Sequence, residues 1–274
     1  MFNKDSTLTD YQLDAYTGEQ DFILDASYNI SPSLITKFDL VSSEVSSGKE
    51  YKIKAIYIGD VSRIATDTVI MYCHGNKWHM DFYWQRAKLL AHVNGKNTYG
   101  VLMIDYRGYG ASEGQPTENG LFEDVNAALE WLKAYGLSSQ RLVMYGFSLG
   151  SAPVCKLSAG PDVISPAKII LEAPFAGTDV MVQDATTLNM PADYFTTLKV
   201  NNAELIRSCK MPLLWIHGTN DNFLSYHTHG EVVYKNHGGT FRKHEAVEGA
   251  DHGDVPLKMG FTSYLKSIGD FIRK

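Results

Sequence analysis

Short apolar runs alternate with helical patterns along most of the chain, and this alternation restricts the possible folds more than any other feature. The segments between the runs carry apolar residues three and four positions apart, as in the stretch 83–91. Nearly continuous apolar strands with helices between them indicate a parallel sheet covered on both faces, an α/β fold. The predicted strands are Thr68–Cys73, Val101–Tyr106, Arg141–Tyr145, Lys168–Leu171, Leu213–Ile216 and Phe241–Val247.

The part of the chain before these runs divides in two. Residues 1–36 are polar and irregular, and Tyr11, Tyr16 and Phe22 are available to pin them to a core. The following residues predict an antiparallel pair of strands at a sheet edge, joined by a turn rich in Ser and Gly. We therefore expect an N-terminal extension that packs on one α/β domain, residues 37–274.

One stretch, residues 176–210, breaks the alternation. At about thirty-five residues it is longer than the usual connection in such folds, and we interpret it as a small cap insertion over the site. The alternative is a solvated excursion. Flexible Met and flat aromatic side chains in it favour an apolar acyl pocket, although they could equally be the packing of the cap itself. These side chains are Met181, Met190, Tyr194 and Phe195.

Charge and cysteine usage exclude several classes of protein. The net charge of -6 argues against nucleic acid as the main partner, because backbone neutralisation needs clustered Lys and Arg. The three cysteines (Cys73, Cys155 and Cys209) are far apart and show no CxxC spacing. Neither a disulfide scaffold nor a zinc site is therefore expected.

Membrane and targeting signals are also missing from the printed sequence. No run approaches the roughly eighteen apolar residues of a membrane span. The first thirty residues are acidic and lack the basic and apolar regions of a signal peptide. The chain as written is therefore expected to be cytoplasmic. A leader removed before this numbering begins would leave the same pattern in a periplasmic or secreted protein.

The strongest chemical signal is Gly146-Phe147-Ser148-Leu149-Gly150. It follows a predicted strand and opens a helix rich in small residues, which is the context that a G-x-S-x-G nucleophile elbow requires. The sharp turn strains the serine backbone, and flanking residues without a Cβ let strand and helix close around it. The sequence therefore predicts Ser148 as a nucleophile.

A serine nucleophile needs a base and an acid, which follow it along the chain in the order acid, then histidine. Asp221 ends a Gly-bearing loop after the strand at 213–216, and His252 lies in a Gly-flanked loop after the last strand. We predict these two residues as acid and base. Asp221 could instead only cap the helix that follows it. The alternative residues are Glu172 and Asp179 for the acid, and His217, His227 and His229 for the base.

An oxyanion hole is expected from backbone N–H groups, which need no reorganisation during the reaction. One donor should be Leu149, the residue after the nucleophile. The other should come from the loop that follows the first parallel strand, where Asn76 is our choice and Lys77 the alternative. His74, which begins this loop, is more typical of packing than of catalysis.

A second glycine-rich loop spans residues 105–114. It lacks the GKS/T ending of a phosphate-binding loop, and no helix begins directly on it. We interpret it as a tight scaffold loop that lines the pocket floor, with Arg107 in an internal ion pair.

Taken together, these motifs resemble the α/β-hydrolase superfamily over residues 37–274. Within it the chain looks most like the small-capped branch of esterases, thioesterases and serine-aminopeptidase-like proteins. The resemblance implies hydrolysis of an ester, thioester or amide in a small-molecule substrate through an acyl-enzyme, with no cofactor. Phe147 departs from depalmitoylase-like members, which tend to have Arg there. The motifs are His74-Gly75-Asn76, Asp105–Gly114, Gly146–Gly150, His217–Asp221 and Asp251-His252-Gly253.

Several functional alternatives remain open on the sequence. An acyltransferase would use the same residues, and a non-catalytic binding module of this fold is also conceivable. An aminopeptidase would need a carboxylate for the free amine of its substrate, and Asp179, Asp184 and Asp193 are available in the cap. Of these, cleavage of short to medium carboxylic esters is the function that we expect.

Overall fold

An eight-stranded sheet forms the centre of the protein in a computed structural model that describes residues 8–160, 163–185 and 199–274. Its spatial order is β1-β2-β4-β3-β5-β6-β7-β8. β2 is antiparallel to both β1 and β4, and all other neighbours are parallel. The strands are β1 (Ile35–Ser43), β2 (Glu50–Ile58), β3 (Val69–Cys73), β4 (Gly100–Ile104), β5 (Leu142–Phe147), β6 (Lys168–Glu172), β7 (Leu213–Gly218) and β8 (Arg242–Val247).

Helices cover both faces of the sheet, which confirms the predicted α/β fold. Side chains of β3 alternate between the two faces, with Met71 in the cluster that includes α2 and α3 and Tyr72 in the cluster that includes α1 and α8. The described helices are α1 (Met80–Leu90), α2 (Glu118–Ala134), α3 (Ser151–Ala159), α4 (Thr178–Ala185), α5 (Asn202–Leu205), α6 (Glu231–Asn236), α7 (Val255–Met259) and α8 (Phe261–Arg273).

The strands agree with the predicted runs to within one or two residues at most ends. The last strand differs in character, because side chains of β8 alternate between exposed and partly buried positions up to Val247. β8 pairs only with β7 and forms the edge of the sheet, so it has one neighbouring strand rather than two. An edge strand needs less apolar surface than a central strand.

The described part of the N-terminal extension lies on the α1 face of the sheet. Its buried side chains belong to the same cluster as α1 and α8. Polar contacts add to this packing, since Asp14 accepts hydrogen bonds from Lys88 Nζ at 2.6 Å and from Trp84 Nε1 at 3.0 Å. Tyr16 is half-buried, with its ring 5.3 Å from that of His79. The buried apolar residues of the segment are Tyr11, Leu13, Phe22, Leu24 and Ile30.

The segment predicted as a cap begins and ends at one point of the structure. Gly177 and Asn201 form an antiparallel bridge, and Thr178 N–H donates to the carbonyl of Val200 at 3.0 Å. α4 leads away from this bridge and α5 follows it. The remainder of the predicted cap, residues 186–198, lies outside the described residues, and with it Met190, Asp193, Tyr194 and Phe195.

All three cysteines are buried and free. Burial raises the pKa of the Cys209 thiol to about 12 and that of the Cys73 and Cys155 thiols above their ordinary value. None of the helices in the described ranges combines the length and the apolar character needed to cross a membrane.

Candidate active site

The predicted nucleophile elbow is a tight strand–turn–helix junction. Ser148 follows the end of β5 with a φ of +52°, in the left-handed region that non-glycine residues rarely adopt. A Cβ at Gly150 would collide with the carbonyl of Cys73, and one at Gly146 would collide with the backbone of Gly150. The glycines therefore let β5, β3 and α3 approach closely enough to hold Ser148 at the turn.

Ser148, His252 and Asp221 form one hydrogen-bonded chain. His252 Nε2 lies 2.9 Å from Ser148 Oγ, and His252 Nδ1 lies 2.8 Å from Asp221 Oδ2. The three side chains follow β5, β7 and β8, whose carboxyl ends meet at the same edge of the sheet. With Nδ1–H donating to the carboxylate, Nε2 is free to accept the serine proton.

Asp221 both caps a turn and orients His252. Its Oδ1 accepts the backbone N–H groups of Phe223 at 2.9 Å and Leu224 at 2.7 Å. Its Oδ2 is shared by His252 and His217. Burial alone would raise the pKa of this carboxyl, but hydrogen bonds from His217 and His252 hold the pKa below its usual range. The capping and orienting roles considered from the sequence thus coincide in one side chain.

His217 also contacts Asp221, and no pattern in the sequence indicated this contact. It is fully buried, and Trp215 Nε1–H donates to its Nδ1 at 3.1 Å. The proton of the neutral ring must then lie on Nε2, which is 3.1 Å from Asp221 Oδ2 and 2.8 Å from the carbonyl of Leu224. His217, one of the alternative bases, therefore contacts the predicted acid and not Ser148.

The loop after β3 lies beside the nucleophile. Asn76 and Leu149 line the same pocket as Ser148. The backbone N–H of Lys77 donates to Tyr83 Oη at 3.0 Å, so this alternative donor already has a partner. His74 is fully buried and its ring stacks on that of Tyr83 at 4.7 Å, in keeping with a packing role.

Among the described residues, the glycine-rich loop at 105–114 does not line the pocket floor as we expected. Instead Tyr109 Oη donates to Asn76 Oδ1 at 2.5 Å and so supports the loop after β3. Arg107 does form the predicted internal ion pair, with its Nη2 2.8 Å from Asp124 Oδ1. The expectation was wrong because glycines at 108 and 110, with positive φ, turn the loop back against its own scaffold.

The alternative acids lie apart from His252. Glu172 is fully buried, with its Oε1 2.5 Å from Arg86 Nη1 and its Oε2 accepting from Tyr145 and Tyr264. Asp179 is exposed and lies beside Gly177. Neither carboxylate hydrogen-bonds to an imidazole in the described structure.

The remaining alternative bases have other partners. His227 Nδ1 lies 3.2 Å from Glu231 on the surface. His229 is buried, and its Nδ1 accepts the backbone N–H of Ala176 at 3.1 Å. Both lie on a short π-helical turn, Tyr226–Gly230.

An apolar pocket opens at Ser148. Met181 of α4 contributes to it, as expected for a cap residue. Among the described lining residues, Glu118 at the start of α2 is the charged one. Its Oε2 accepts a hydrogen bond from the backbone N–H of Lys199 at 2.7 Å. The apolar lining residues are Leu121, Leu149, Phe175, Met181, Val200, Phe223 and Leu224, and the polar ones besides Ser148 and Glu118 are Asn76 and Thr178.

Within the described ranges, no group of three or more His, Cys, Asp and Glu side chains has an arrangement that could hold a metal ion.

Comparisons with known proteins agree with this architecture. A solved esterase of Pyrococcus furiosus, Pf2001, superposes with a TM-score of 0.67 at 19% identity, over 89% of this chain and 93% of that one. Est1E of Butyrivibrio proteoclasticus, solved with ferulic acid bound, gives 0.63 at 17% identity, over 82% and 97%. At these identities the likeness shows the fold.

Sequence comparison identifies relatives as well. The chain is 30% identical to the α/β-hydrolase domain-containing protein aho-3 of Caenorhabditis elegans, over 73% of this chain and 57% of that protein. It is also 30% identical to the α/β-hydrolase domain-containing protein 17C of Mus musculus, over 74% and 59%. The chain thus spans a little under three fifths of the length of these relatives.

The fold and these likenesses confirm the resemblance seen in the sequence, and the protein is an α/β-hydrolase. A family model matches residues 65–209, just over half of the chain. The chain belongs to the family that this model describes, Hydrolase_4 (serine aminopeptidase, S33).

Proposed function

We propose that this protein is a serine hydrolase that cleaves carboxylic esters of short to medium acyl chains through an acyl-enzyme. The observation that carries the proposal is the chain of hydrogen bonds from Ser148 through His252 to Asp221, at the wall of an apolar pocket. Two solved structures with the same fold, Pf2001 and Est1E, are consistent with this reaction, since Pf2001 is named as an esterase and Est1E was solved with ferulic acid bound.

In the acylation step, His252 Nε2 takes the proton of Ser148 while Oγ attacks the acyl carbon. The backbone N–H groups of Asn76 and Leu149 donate to the oxyanion that forms. As the carbon–oxygen bond to the alcohol breaks, the His252 imidazolium returns the proton to the leaving alcohol. Asp221 keeps the imidazole in the required tautomer and stabilises its charge.

In the deacylation step, water takes the place of the alcohol. His252 Nε2 accepts a proton from this water as its oxygen attacks the acyl carbon bound to Ser148 Oγ. The same oxyanion donors act again, and His252 then returns a proton to Ser148 as the free acid leaves. The depressed pKa of Asp221 keeps this carboxylate ionised through both steps.

The described pocket wall favours an uncharged, apolar acyl group. Leucine, valine, methionine and phenylalanine side chains form most of it, which suits an aliphatic or aromatic chain. The carboxylate of Glu118 would oppose an anionic acyl group, because burying two like charges together is unfavourable.

An aminopeptidase or amidase of the same mechanism is the second candidate. The family description and the presence of Glu118 in the wall favour it, since a carboxylate can hold the free amine of an aminoacyl substrate. Of the cap carboxylates considered from the sequence, Asp179 is exposed, and the side chains of Asp184 and Asp193 lie outside the described residues.

The test is the initial rate of hydrolysis of p-nitrophenyl esters from acetate to palmitate by wild-type and Ser148→Ala protein. We expect a maximum at short to medium chains and a loss of about 10³-fold or more in Ser148→Ala. Ser158→Ala is the matched control, because this serine is buried on α3 away from the pocket wall.

Each other outcome identifies a different function. Activity on aminoacyl p-nitroanilides that exceeds ester activity and depends on Ser148 would establish the aminopeptidase alternative. Acyl transfer to added alcohols without release of acid would indicate an acyltransferase. Equal rates for Ser148→Ala and wild type would contradict the assignment of the nucleophile.

A further inference from the structure

A buried charge cluster lies directly behind the loop that carries His252. Arg86 of α1 is 1% exposed and contacts three oxygen atoms. Its Nη1 lies 2.5 Å from Glu172 Oε1, while its Nη2 lies 2.9 Å from the carbonyl of Gly253 and 3.2 Å from Asp21 Oδ2. The guanidinium therefore ties the residue after His252 to two carboxylates.

Asp21 belongs to the N-terminal extension, outside the region of the family motifs. Its carboxylate lies against Gly253, where an added Cβ would be 2.6 Å from Asp21 Oδ1. The side chain is 19% exposed, so it is held between solvent and the loop of His252. The extension thus brings a negative charge next to the backbone of the predicted base.

A ring stack connects the same guanidinium to the imidazole. The Arg86 guanidinium lies 4.3 Å from the centre of the Phe147 ring. The Phe147 ring lies 5.2 Å from the His252 ring at an angle of 33°. Arg86 therefore supports His252 from two sides, through the carbonyl of Gly253 and through Phe147.

Negative charge is in excess behind the loop of His252. Arg86 is one cation between two carboxylates, so this cluster carries a net negative charge when both are ionised. Burial raises the pKa of Asp21, and the Arg86 guanidinium and the His252 ring oppose that effect. The nearby phenols stay neutral because burial raises the pKa of each, namely Tyr72, Tyr83, Tyr145 and Tyr264.

Other titratable groups at His252 have separate partners. Asp221 bonds directly to its Nδ1. On its own loop, Asp251 accepts the backbone N–H of Asn222 at 3.1 Å, and Asp254 accepts that of Asp251 at 2.7 Å. The contacts of Asp251 and Asp254 hold the loop of His252 in place. The cluster of Arg86, Asp21 and Glu172 lies on the other side of this loop, against the carbonyl of Gly253.

We propose that Asp21 and Arg86 are positioning residues for His252. Arg86 fixes the loop, and Asp21 adds a second negative charge that stabilises the imidazolium formed while Ser148 is acylated. The N-terminal extension then contributes a positioning residue, Asp21, to the active site. This inference rests on the proposed function for its role in the reaction, although its electrostatic part can be tested without turnover.

The first test is the pH titration of the His252 ring by NMR in wild-type, Asp21→Asn and Asp21→Glu protein. Loss of the negative charge disfavours the imidazolium, so the pKa of His252 should fall by about half a unit to one unit in Asp21→Asn. Asp21→Glu keeps the charge and should retain most of the wild-type titration.

Asp14→Asn is the matched control. Asp14 also joins the extension to α1, through Lys88 and Trp84, but not through Arg86 or the loop of His252. A fall in the pKa of His252 that Asp14→Asn reproduces would overturn the proposal, since it would reflect a loosened extension. An unchanged titration in Asp21→Asn would also overturn it.

Kinetics provide the second readout. On the best ester, kcat/KM of Asp21→Asn should fall by about threefold to tenfold at neutral pH, with its acid limb displaced to lower pH. A fall in kcat/KM with an unmoved acid limb would contradict the electrostatic role. If wild type cleaves no ester, the proposed function fails, while the NMR titration still decides whether Asp21 acts on His252.

Discussion

At the scale of single residues, the site depends on one carboxylate that accepts hydrogen bonds from four donors. Asp221 accepts two backbone N–H groups on Oδ1 and two imidazoles on Oδ2. This saturation fixes the direction of the carboxylate, and the carboxylate in turn fixes the tautomer of His252. Trp215 extends the arrangement, because its indole N–H determines which nitrogen of His217 carries the proton.

Asp221→Asn should therefore remove most activity while leaving the protein folded. An amide nitrogen at this position would face the N–H donors of both imidazoles and favour the wrong tautomer of His252. We expect kcat to fall by about 10⁴-fold, as when the triad acid of a serine protease is changed in the same way. Stopped assays with the preferred p-nitrophenyl ester would measure the loss.

Glu172→Gln is the comparison for this variant. It removes one of the two carboxylates that contact the buried Arg86 and leaves Asp21, so its main effect should be a loss of about 1.5–3 kcal/mol in the free energy of unfolding. Its folded fraction should keep far more of kcat than Asp221→Asn does. The acid would have to be reassigned if Glu172→Gln lowered kcat more.

At the scale of elements, the return from the predicted cap is joined to the nucleophile elbow. Asn202, the first residue of α5, is fully buried, and its Nδ2 donates to Ser151 Oγ and to the carbonyl of Phe175, each at 3.0 Å. Ser151 Oγ in turn donates to the carbonyl of Ser148 at 2.6 Å. The side-chain amide of Asn202 thus connects the start of α5, the segment that follows β6 and, through Ser151, the backbone of Ser148.

Asn202→Ala should lower both stability and turnover. It leaves the buried carbonyl of Phe175 without this donor, which costs about 1–3 kcal/mol. Denaturant unfolding would measure this loss, and ester kinetics would show a lower kcat because the backbone of Ser148 is less restrained. Asn236→Ala is the control, since Asn236 also donates to α5, at the carbonyl of Ala203, but does not reach the elbow. Equal effects of both variants on kcat would contradict the connection.

At the scale of the whole molecule, two apolar layers enclose the sheet, and the N-terminal extension completes one of them. The cysteines lie in the other layer, where all three side chains are fully buried. Their thiols are protonated at neutral pH because burial raises their pKa. Both properties make them inert in the folded protein.

The native protein should therefore show no rapid reaction with a thiol reagent such as DTNB at pH 8. In denaturant all three cysteines should react, and the midpoint of their reactivity should follow that of circular dichroism. Ser46→Cys, at an exposed turn, is the positive control and should react at once in native buffer. A thiol that reacts early in the unmodified protein would indicate local opening of the layer around α2 and α3.

The sequence by itself determined the features that depend on neighbours along the chain. The alternation of apolar runs predicted the parallel strands, and the glycines around Ser148 predicted the elbow, because both are local patterns. Asp221 and His252 could be selected because each follows a strand, and carboxyl ends of parallel strands meet at one edge. The structure brings these three residues together, and their catalytic roles remain predictions.

Only the tertiary structure decided the contacts between distant segments. It paired the backbone N–H of Lys77 with the hydroxyl of Tyr83, and it placed Glu172 with Arg86 rather than with His252. Asp21 and Arg86 are 65 positions apart, and Arg86 and Gly253 are 167 apart. Such pairs leave no periodicity or motif in the sequence, because folding, not spacing along the chain, brings their atoms within hydrogen-bonding distance.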